Sequence, residues 1–218
     1  MIGVYGGTFN PVHYGHLRTA LEVRELFELT QLNLIPCRLP PHRNQPEVEP
    51  EQRMQMLELA IAGVPEFRAD RCELDRSGPS YMVDTLRSLR EENASASLLM
   101  FVGSDAFAGL ERWQRWQALF DYAHVVVMTR PGYALPAMGE FLCNRICRDK
   151  TLLRTRKSGL LYFQPVTALD IAATAIRALI ASGRNPKFLL PDNVIAYIRQ
   201  QGLYLSSNQD SECKQKNY

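Results

Sequence analysis

Short apolar runs alternate with longer stretches of helical period along most of the chain. Ile2 to Tyr5, Leu32 to Pro36, Phe67 to Cys72, Leu98 to Val102, His124 to Met128 and Leu160 to Gln164 are compact, apolar and bounded by turn residues, which predicts strands. Leu17, Ala20, Leu21 and Phe27 keep the spacing of one helical face. So do Met54, Leu57 and Ile61, in a helix expected over about Pro50 to Ala62. Further helices are expected over Tyr81 to Arg90, in part over Phe107 to Phe120, from about Ile171 to Ala181 and over Val194 to Gln201. Such alternation predicts an α/β fold, a doubly wound, mainly parallel sheet with helices on both faces. Residues 131–159 break the pattern and are rich in Pro, Gly and Arg. Cys143 to Lys157 holds six basic residues against one acid, a composition that reads as a solvated face rather than an anion site. Ser206 to Tyr218 is polar and expected to fray. With no internal repeat or linker in view, one domain over residues 1–205 is expected.

Composition narrows the class. The chain has 218 residues, 46% hydrophobic and 22% charged, enough for one sizeable core. A formal net charge of +2 is too small to argue for nucleic acid or a membrane surface, and it suits small anionic substrates. No apolar run reaches the ~20 residues needed to cross a bilayer. The five cysteines are odd in number and follow no signal peptide, which favours reduced thiols and a cytoplasmic protein. Cys143 and Cys147 are expected as thiols on a helix rather than as metal ligands.

The candidate chemistry begins at the first strand. Gly6-Gly7 ends it, and a helix opens around His13-Tyr14-Gly15-His16. Glycines let a phosphate approach the backbone, and a helix N-terminus offers unpaired N–H groups to it. Two histidines three apart on one helical face would direct both imidazoles the same way. No Lys follows the glycines as in a Walker loop, and their spacing is not that of a dinucleotide fingerprint. Zinc would need further ligands nearby, which are missing.

Gly6-Gly7-Thr8-Phe9-Asn10-Pro11-Val12-His13-Tyr14-Gly15-His16 resembles the G-G-x-F-x-P-x-H-x-G-H signature of the nucleotidyltransferase superfamily. The resemblance implies a Rossmann-like fold, and attack of a phosphate oxygen on the α-phosphorus of a nucleoside triphosphate with pyrophosphate leaving. It places Gly6, Gly7, Thr8, Phe9, His13 and His16 at ATP. Pro36-Cys37-Arg38-Leu39-Pro40-Pro41-His42-Arg43 is similar to the P-x-x-x-P-P-H-K loop of nicotinate-nucleotide adenylyltransferases, with Arg43 in place of Lys. That similarity puts His42 and Arg43 at the acceptor phosphate, with Arg53 supporting the loop. Ser77-Gly78-Pro79-Ser80-Tyr81-Met82-Val83-Asp84-Thr85-Leu86 resembles the G-x-S-Y-T-x-D-T-L stretch of the same enzymes, with Met82 where Thr is usual. Ser80 is expected to cap the helix. Ser80, Tyr81 and Thr85 are then expected at the mononucleotide, with backbone near Thr85 at the nicotinate carboxylate.

Two further segments complete the likeness. In Phe101-Val102-Gly103-Ser104-Asp105, Gly103 allows close approach of ATP and Asp105 is suited to a ribose or a metal-bound water. Trp113 offers a face to a pyridinium ring, a contact worth ~0.5–2 kcal/mol. Trp113 and Trp116 are three apart on an expected helix, so one of them is expected in core packing. Arg130 lies in an Arg-Pro-Gly turn and is given a supporting role. Leu169-Asp170-Ile171-Ala172-Ala173-Thr174-Ala175-Ile176-Arg177 resembles the I-S-S-T-x-I-R signature, with Ala172 and Ala173 replacing both serines. It implies Ile171, Thr174 and Arg177 on the departing phosphates.

The resemblance as a whole implies AMP transfer from ATP to nicotinate mononucleotide in NAD biosynthesis. His13, His16 and Arg177 would be catalytic and Mg²⁺ would accompany ATP. No residue is expected to ligate a metal directly, Asp105 acting at most through water. No nucleic acid, membrane or obligate protein partner is implied. Transfer of AMP or CMP to another phosphate ester, and a non-catalytic nucleotide-binding regulator, stay open from the sequence.

Overall fold

The computed structural model describes residues 1–39, 46–130, 132–134 and 136–205. In chain order its strands and helices are β1 (Ile2–Gly7), α1 (Tyr14–Leu26), β2 (Gln31–Pro36), α2 (Pro50–Ile61), β3 (Phe67–Ala69), α3 (Met82–Glu92), β4 (Leu98–Gly103) and α4 (Ser104–Phe107). They continue with α5 (Leu119–Tyr122), β5 (His124–Thr129), α6 (Glu140–Cys143), α7 (Leu152–Thr155), β6 (Leu161–Pro165), α8 (Ala173–Ala181) and α9 (Asp192–Gln200). The strands form one six-stranded sheet in the order β3-β2-β1-β4-β5-β6, every neighbouring pair parallel. This is the expected Rossmann-like arrangement. From β1 the chain crosses to β2 on one side, and it returns to place β4 on the other. A crevice therefore opens at the carboxyl ends of β1 and β4, the place where doubly wound sheets bind ligands.

Strand alternation builds a core on each face of the sheet. Leu99 and Phe101 of β4 face Ala20, Val23 and Phe27 of the first helical segment, together with Ile176 of α8 and Val194 and Ile198 of α9. Leu98, Met100 and Val102 face the opposite way, toward Val83, Leu86 and Leu89 of α3 and Leu119 and Phe120 of α5. A period of two along β4 thus serves both layers. In α2, Pro50 stands in the first turn, where its missing N–H costs nothing. Met54, Leu57 and Ile61 are buried as expected.

Several elements differ from expectation for local reasons. β3 stops at Ala69: Asp70 N–H makes the last rung to Leu34 O at 3.0 Å, and Asp70 Oδ1 accepts from Cys72 N–H, turning the chain away. The buried positions of α1 are Thr19, Ala20 and Val23, while Leu17 and Leu21 are only half-buried. Residues 107–120 hold no continuous helix. Arg115 adopts a left-handed φ of 50° there and separates two single turns of 3₁₀ type, so Trp113 and Trp116 do not share a helix. α8 begins at Ala173 rather than at Ile171.

The basic stretch at 145–157 is largely tied down as structure. Arg145 stacks on the Phe141 ring at 3.4 Å, Lys150 donates to Leu26 O, Arg154 pairs with Glu28 and Lys157 donates to Ala94 O. Cys143 is exposed and Cys147 buried, and each thiol donates to a different carbonyl. His124 is fully buried and ties β5 to its neighbours through Arg156 O and Leu160 N–H. Among the described residues no helix is long and apolar enough to cross a membrane. The polar segment 206–218 lies outside the described residues.

One substitution tests the packing. A Cβ at Gly3 would stand 2.6 Å from Leu32 Cδ1 and 2.7 Å from Leu29 Cδ1, in a core where both leucines are buried. Gly3→Ala is expected to lower unfolding stability by about 1–3 kcal/mol through overpacking. Urea denaturation monitored by tryptophan fluorescence checks it, and an unchanged midpoint would refute the packing assigned to β1.

Candidate active site

The crevice is a cleft of about 780 Å³. Gly6, Gly7 and Thr8 line it from the end of β1, His16 from α1 and Cys37 from the end of β2. Glu73, Ser80 and Tyr81 line it ahead of α3, Gly103 and Asp105 follow β4, and Arg112 and Trp113 close the far wall. Of the residues expected at ATP, Phe9, His13, Ile171, Thr174 and Arg177 do not line the cleft, and of the described residues expected at the mononucleotide Thr85 does not.

The β1–α1 loop holds the histidines. Phe9 is 1% exposed and adopts a φ of 47°, a strained value for a bulky residue that only surrounding contacts can enforce. Its ring meets His16 edge-on with centroids 5.1 Å apart. Phe9 thus supports His16 from below and does not itself line the cleft, unlike the ATP contact expected of it. His13 is the N-cap of α1, with extended φ and ψ of −149° and 171°, so the helix starts one residue later than the paired-face geometry requires. The rings still converge, with centroids 3.8 Å apart and planes at 31°. Gly15 makes room for them, since a Cβ there would lie 2.9 Å from His13 Nδ1. The helix terminus offers fewer donors than the sequence suggests. Tyr14 N–H donates to Leu189 O and His16 N–H to His13 O.

Burial lowers the His13 pKa to about 4, and burial together with His13 lowers His16 to about 3. Both imidazoles are therefore neutral at pH 7. Among the described residues neither Nδ1 has a hydrogen-bond partner. An anion placed beside them would raise both pKa values and draw a proton into the site.

Three long-range bonds fix the loop. Arg53, fully buried, donates to Thr8 O at 2.8 Å, and also to Val48 O and Arg38 O. It therefore supports the loop after β1 as well as the loop after β2, for which it was expected. Arg177 Nη1 donates to Asn10 O at 2.8 Å, and Tyr204 Oη donates to Asn10 Oδ1 at 2.6 Å. The guanidinium of α8 thus stands three residues from His13. Ile171 O would lie 3.4 Å from a Gly15 Cβ, so the turn into α8 abuts the start of α1. Thr174 is exposed in the first turn of α8, and Ala172 caps that helix without a side-chain bond. Arg177 bonds to the β1–α1 loop and Ile171 abuts the start of α1, and neither these two nor His13 and Thr174 are part of the cleft wall itself.

The opposite side of the cleft departs more from expectation. Ser80 does not cap α3, whose N-cap is Tyr81. Its Oγ instead accepts from Arg38 N–H at 2.9 Å. Thr85 is fully buried behind the wall, its N–H donating to Tyr81 O and its hydroxyl to Glu73 at 2.7 Å. Trp113 is the indole at the cleft, while Trp116 packs edge-on against Phe141. Asp105 is exposed and pairs with Arg130 at 3.7 Å. His42 and Arg43 lie outside the described residues. Glu73, Cys37 and Tyr204 carry no local sequence signal for these roles, since their partners are distant along the chain or defined only by the fold.

The depressed histidines give stability a sign with pH. The unfolded chain takes up protons near pH 6.5 while the folded site resists until about 4 and 3, so this contribution is complete above 6.5 and lost as pH falls. Each histidine is expected to contribute up to about 1.4 kcal/mol per pH unit below 6. His16→Asn should make the decline shallower in urea unfolding at pH 7.5, 6 and 5. Equal slopes for the two proteins would contradict the burial assigned to the ring.

Comparison with known proteins agrees with this geometry. The model of the family described as cytidylyltransferase-like matches residues 4–179. A protein of Methylococcus capsulatus named "Probable nicotinate-nucleotide adenylyltransferase" is 49% identical over 94% of this chain and 99% of its own. One of the same name from Halorhodospira halophila is 48% identical over 93% and 94%. In fold, the chain is similar to Plasmodium falciparum nicotinic acid mononucleotide adenylyltransferase complexed with NaAD, with a TM-score of 0.71 and 18% identity over 93% of this chain and 96% of that one. On the strength of the sequence matches, which run through both phosphate-side motifs and the cleft, the chain belongs to the nicotinate-nucleotide adenylyltransferase family of cytidylyltransferase-like proteins.

Proposed function

We propose that this chain transfers AMP from ATP to nicotinate mononucleotide, forming nicotinate adenine dinucleotide and pyrophosphate, with residues 1–205 as one catalytic domain. The observation that carries it is the junction at Asn10. There the Arg177 guanidinium meets the loop that presents His13 and His16 at one end of a 780 Å³ cleft. A polyphosphate needs donors along its length, and this junction brings a guanidinium onto the loop that carries the imidazoles. The cleft beyond has room for a mononucleotide, with the Trp113 indole as a face for its ring.

In the reaction an oxygen of the acceptor phosphate bonds to the α-phosphorus, the bond from that phosphorus to the bridging oxygen breaks, and its electrons leave with pyrophosphate. The nucleophile is already an anion, so no general base is needed. Catalysis reduces to in-line placement and to stabilising charge on the triphosphate. We assign His16 to the α-phosphate with His13 alongside, and Arg177 and Thr174 to the departing phosphates. One Arg177 donor is committed to Asn10, leaving others of its five for the ligand. Gly6, Gly7 and Gly103 admit ATP to the backbone, and nothing lies within 4 Å of a Cβ position at Gly103.

Nucleotidyl transfer from ATP generally uses a divalent metal, and we take the ion to be Mg²⁺. Among the described residues no group of three or more His, Cys, Asp or Glu could hold a metal. We take such an ion to be carried by the triphosphate, with the exposed Asp105 carboxylate as a water-mediated neighbour, where it would neutralise phosphate charge.

A coupled pyrophosphate assay with ATP, Mg²⁺ and a panel of phosphate esters tests the function, and turnover is expected with nicotinate mononucleotide. Absence of turnover with that acceptor in folded protein would refute it. His16→Ala should lower kcat by about 10²–10³, the cost of losing a donor aimed at transition-state charge. Trp113→Ala should chiefly raise the acceptor KM. Near-normal kcat in the first, or an unchanged acceptor KM in the second, would remove that residue from its role.

A further inference from the structure

We propose that Glu73 is a positioning residue for the acceptor, its buried carboxylate fastening two chain segments into one wall of the cleft. Glu73 is 3% exposed yet reaches the cleft lining. Its Oε1 accepts from Thr85 Oγ1 at 2.7 Å, and the Ser80 hydroxyl also bonds to it. Ser80 carries the link across the cleft wall. Its Oγ accepts from Arg38 N–H at 2.9 Å, and its N–H donates to Leu39 O at 3.1 Å. Arg38 Nη1 adds a bond to Arg76 O at 2.8 Å, and Arg76 Nη1 returns to Thr85 Oγ1 at 3.2 Å.

The circuit joins the start of α3 to the loop after β2, and both segments border the side of the cleft assigned to nicotinate mononucleotide. Arg53 joins Arg38 O to Thr8 O of the loop after β1, while Arg177 bonds to Asn10 and stands outside the circuit. Burial, helped by the nearby Asp70 charge, holds the Glu73 pKa above the ordinary carboxylate value, and the two hydroxyls and the Arg76 charge offset part of that rise. A buried acceptor that two hydroxyls depend on is costly to remove, because both donors lose their partner at once.

This inference rests on the proposed acceptor, so the experiment begins with wild-type turnover of ATP and nicotinate mononucleotide. No turnover there would overturn the function and the inference together. Given turnover, Glu73→Gln, which keeps the shape, is expected to raise the acceptor KM about tenfold while the ATP KM stays within about twofold. Thr85→Val removes the donated hydroxyl from behind the wall and should move the acceptor KM the same way. The double variant should be no worse than the more impaired single one, as for residues in one network. An unchanged acceptor KM in either folded variant would overturn the proposal. So would parallel rises in both KM values with a fall in Tm, the sign of a purely structural role. If Glu73→Gln fails to fold, Thr85→Val decides alone.

Discussion

The β1–α1 loop depends on being held from both sides by guanidinium groups, Arg53 fully buried and Arg177 half-buried. Arg53 takes the carbonyl of Thr8 and Arg177 takes that of Asn10, while Tyr204 secures the Asn10 side chain. Between these anchors the chain accepts a left-handed Phe9, a conformation a bulky residue does not choose by itself. Strain of this kind persists only where the surroundings over-determine it. Its product is two neutral imidazoles at near van der Waals separation, facing the carboxyl end of β1.

That arrangement also explains why the site tolerates weak capping at α8. Ala172 contributes no hydroxyl, so the helix start has no side-chain cap. Because Arg177 is fixed by Asn10, its remaining donors stand at a set distance from the histidines. In the proposed function this arrangement does along a polyphosphate what a single glycine-rich loop provides elsewhere. The neutral state of the imidazoles matters as well, since an incoming anion is met by groups able to gain charge rather than by charges already solvated.

The parallel sheet and its switch point were legible because alternating apolar runs report strands buried on both faces. The β1–α1 loop as a candidate site was legible too, as Gly6, Gly7, His13 and His16 lie within eleven residues of one another. The details were not. The pairing of His13 with His16 comes from an N-cap rather than a helical face, a choice made by Leu189, which occupies the Tyr14 N–H from far along the chain. Ser80 looked like a cap, yet Glu73 and Arg38 claim its hydroxyl through tertiary contacts. Trp113 and Trp116 have helical spacing, but the left-handed Arg115 sends one to the cleft and the other to Phe141. Glu73 itself, surrounded by other charged residues in sequence, gave no sign of burial.

The central claim is that one triphosphate bridges the α1 and α8 termini. A crystal structure with a non-hydrolysable ATP analogue and nicotinate mononucleotide addresses it directly. The account predicts the α-phosphate against His16, the β- and γ-phosphates at Thr174 and Arg177, and the acceptor phosphate in line on the Trp113 side. A triphosphate bound away from the Asn10 junction, with His16 and Arg177 both untouched, would contradict it.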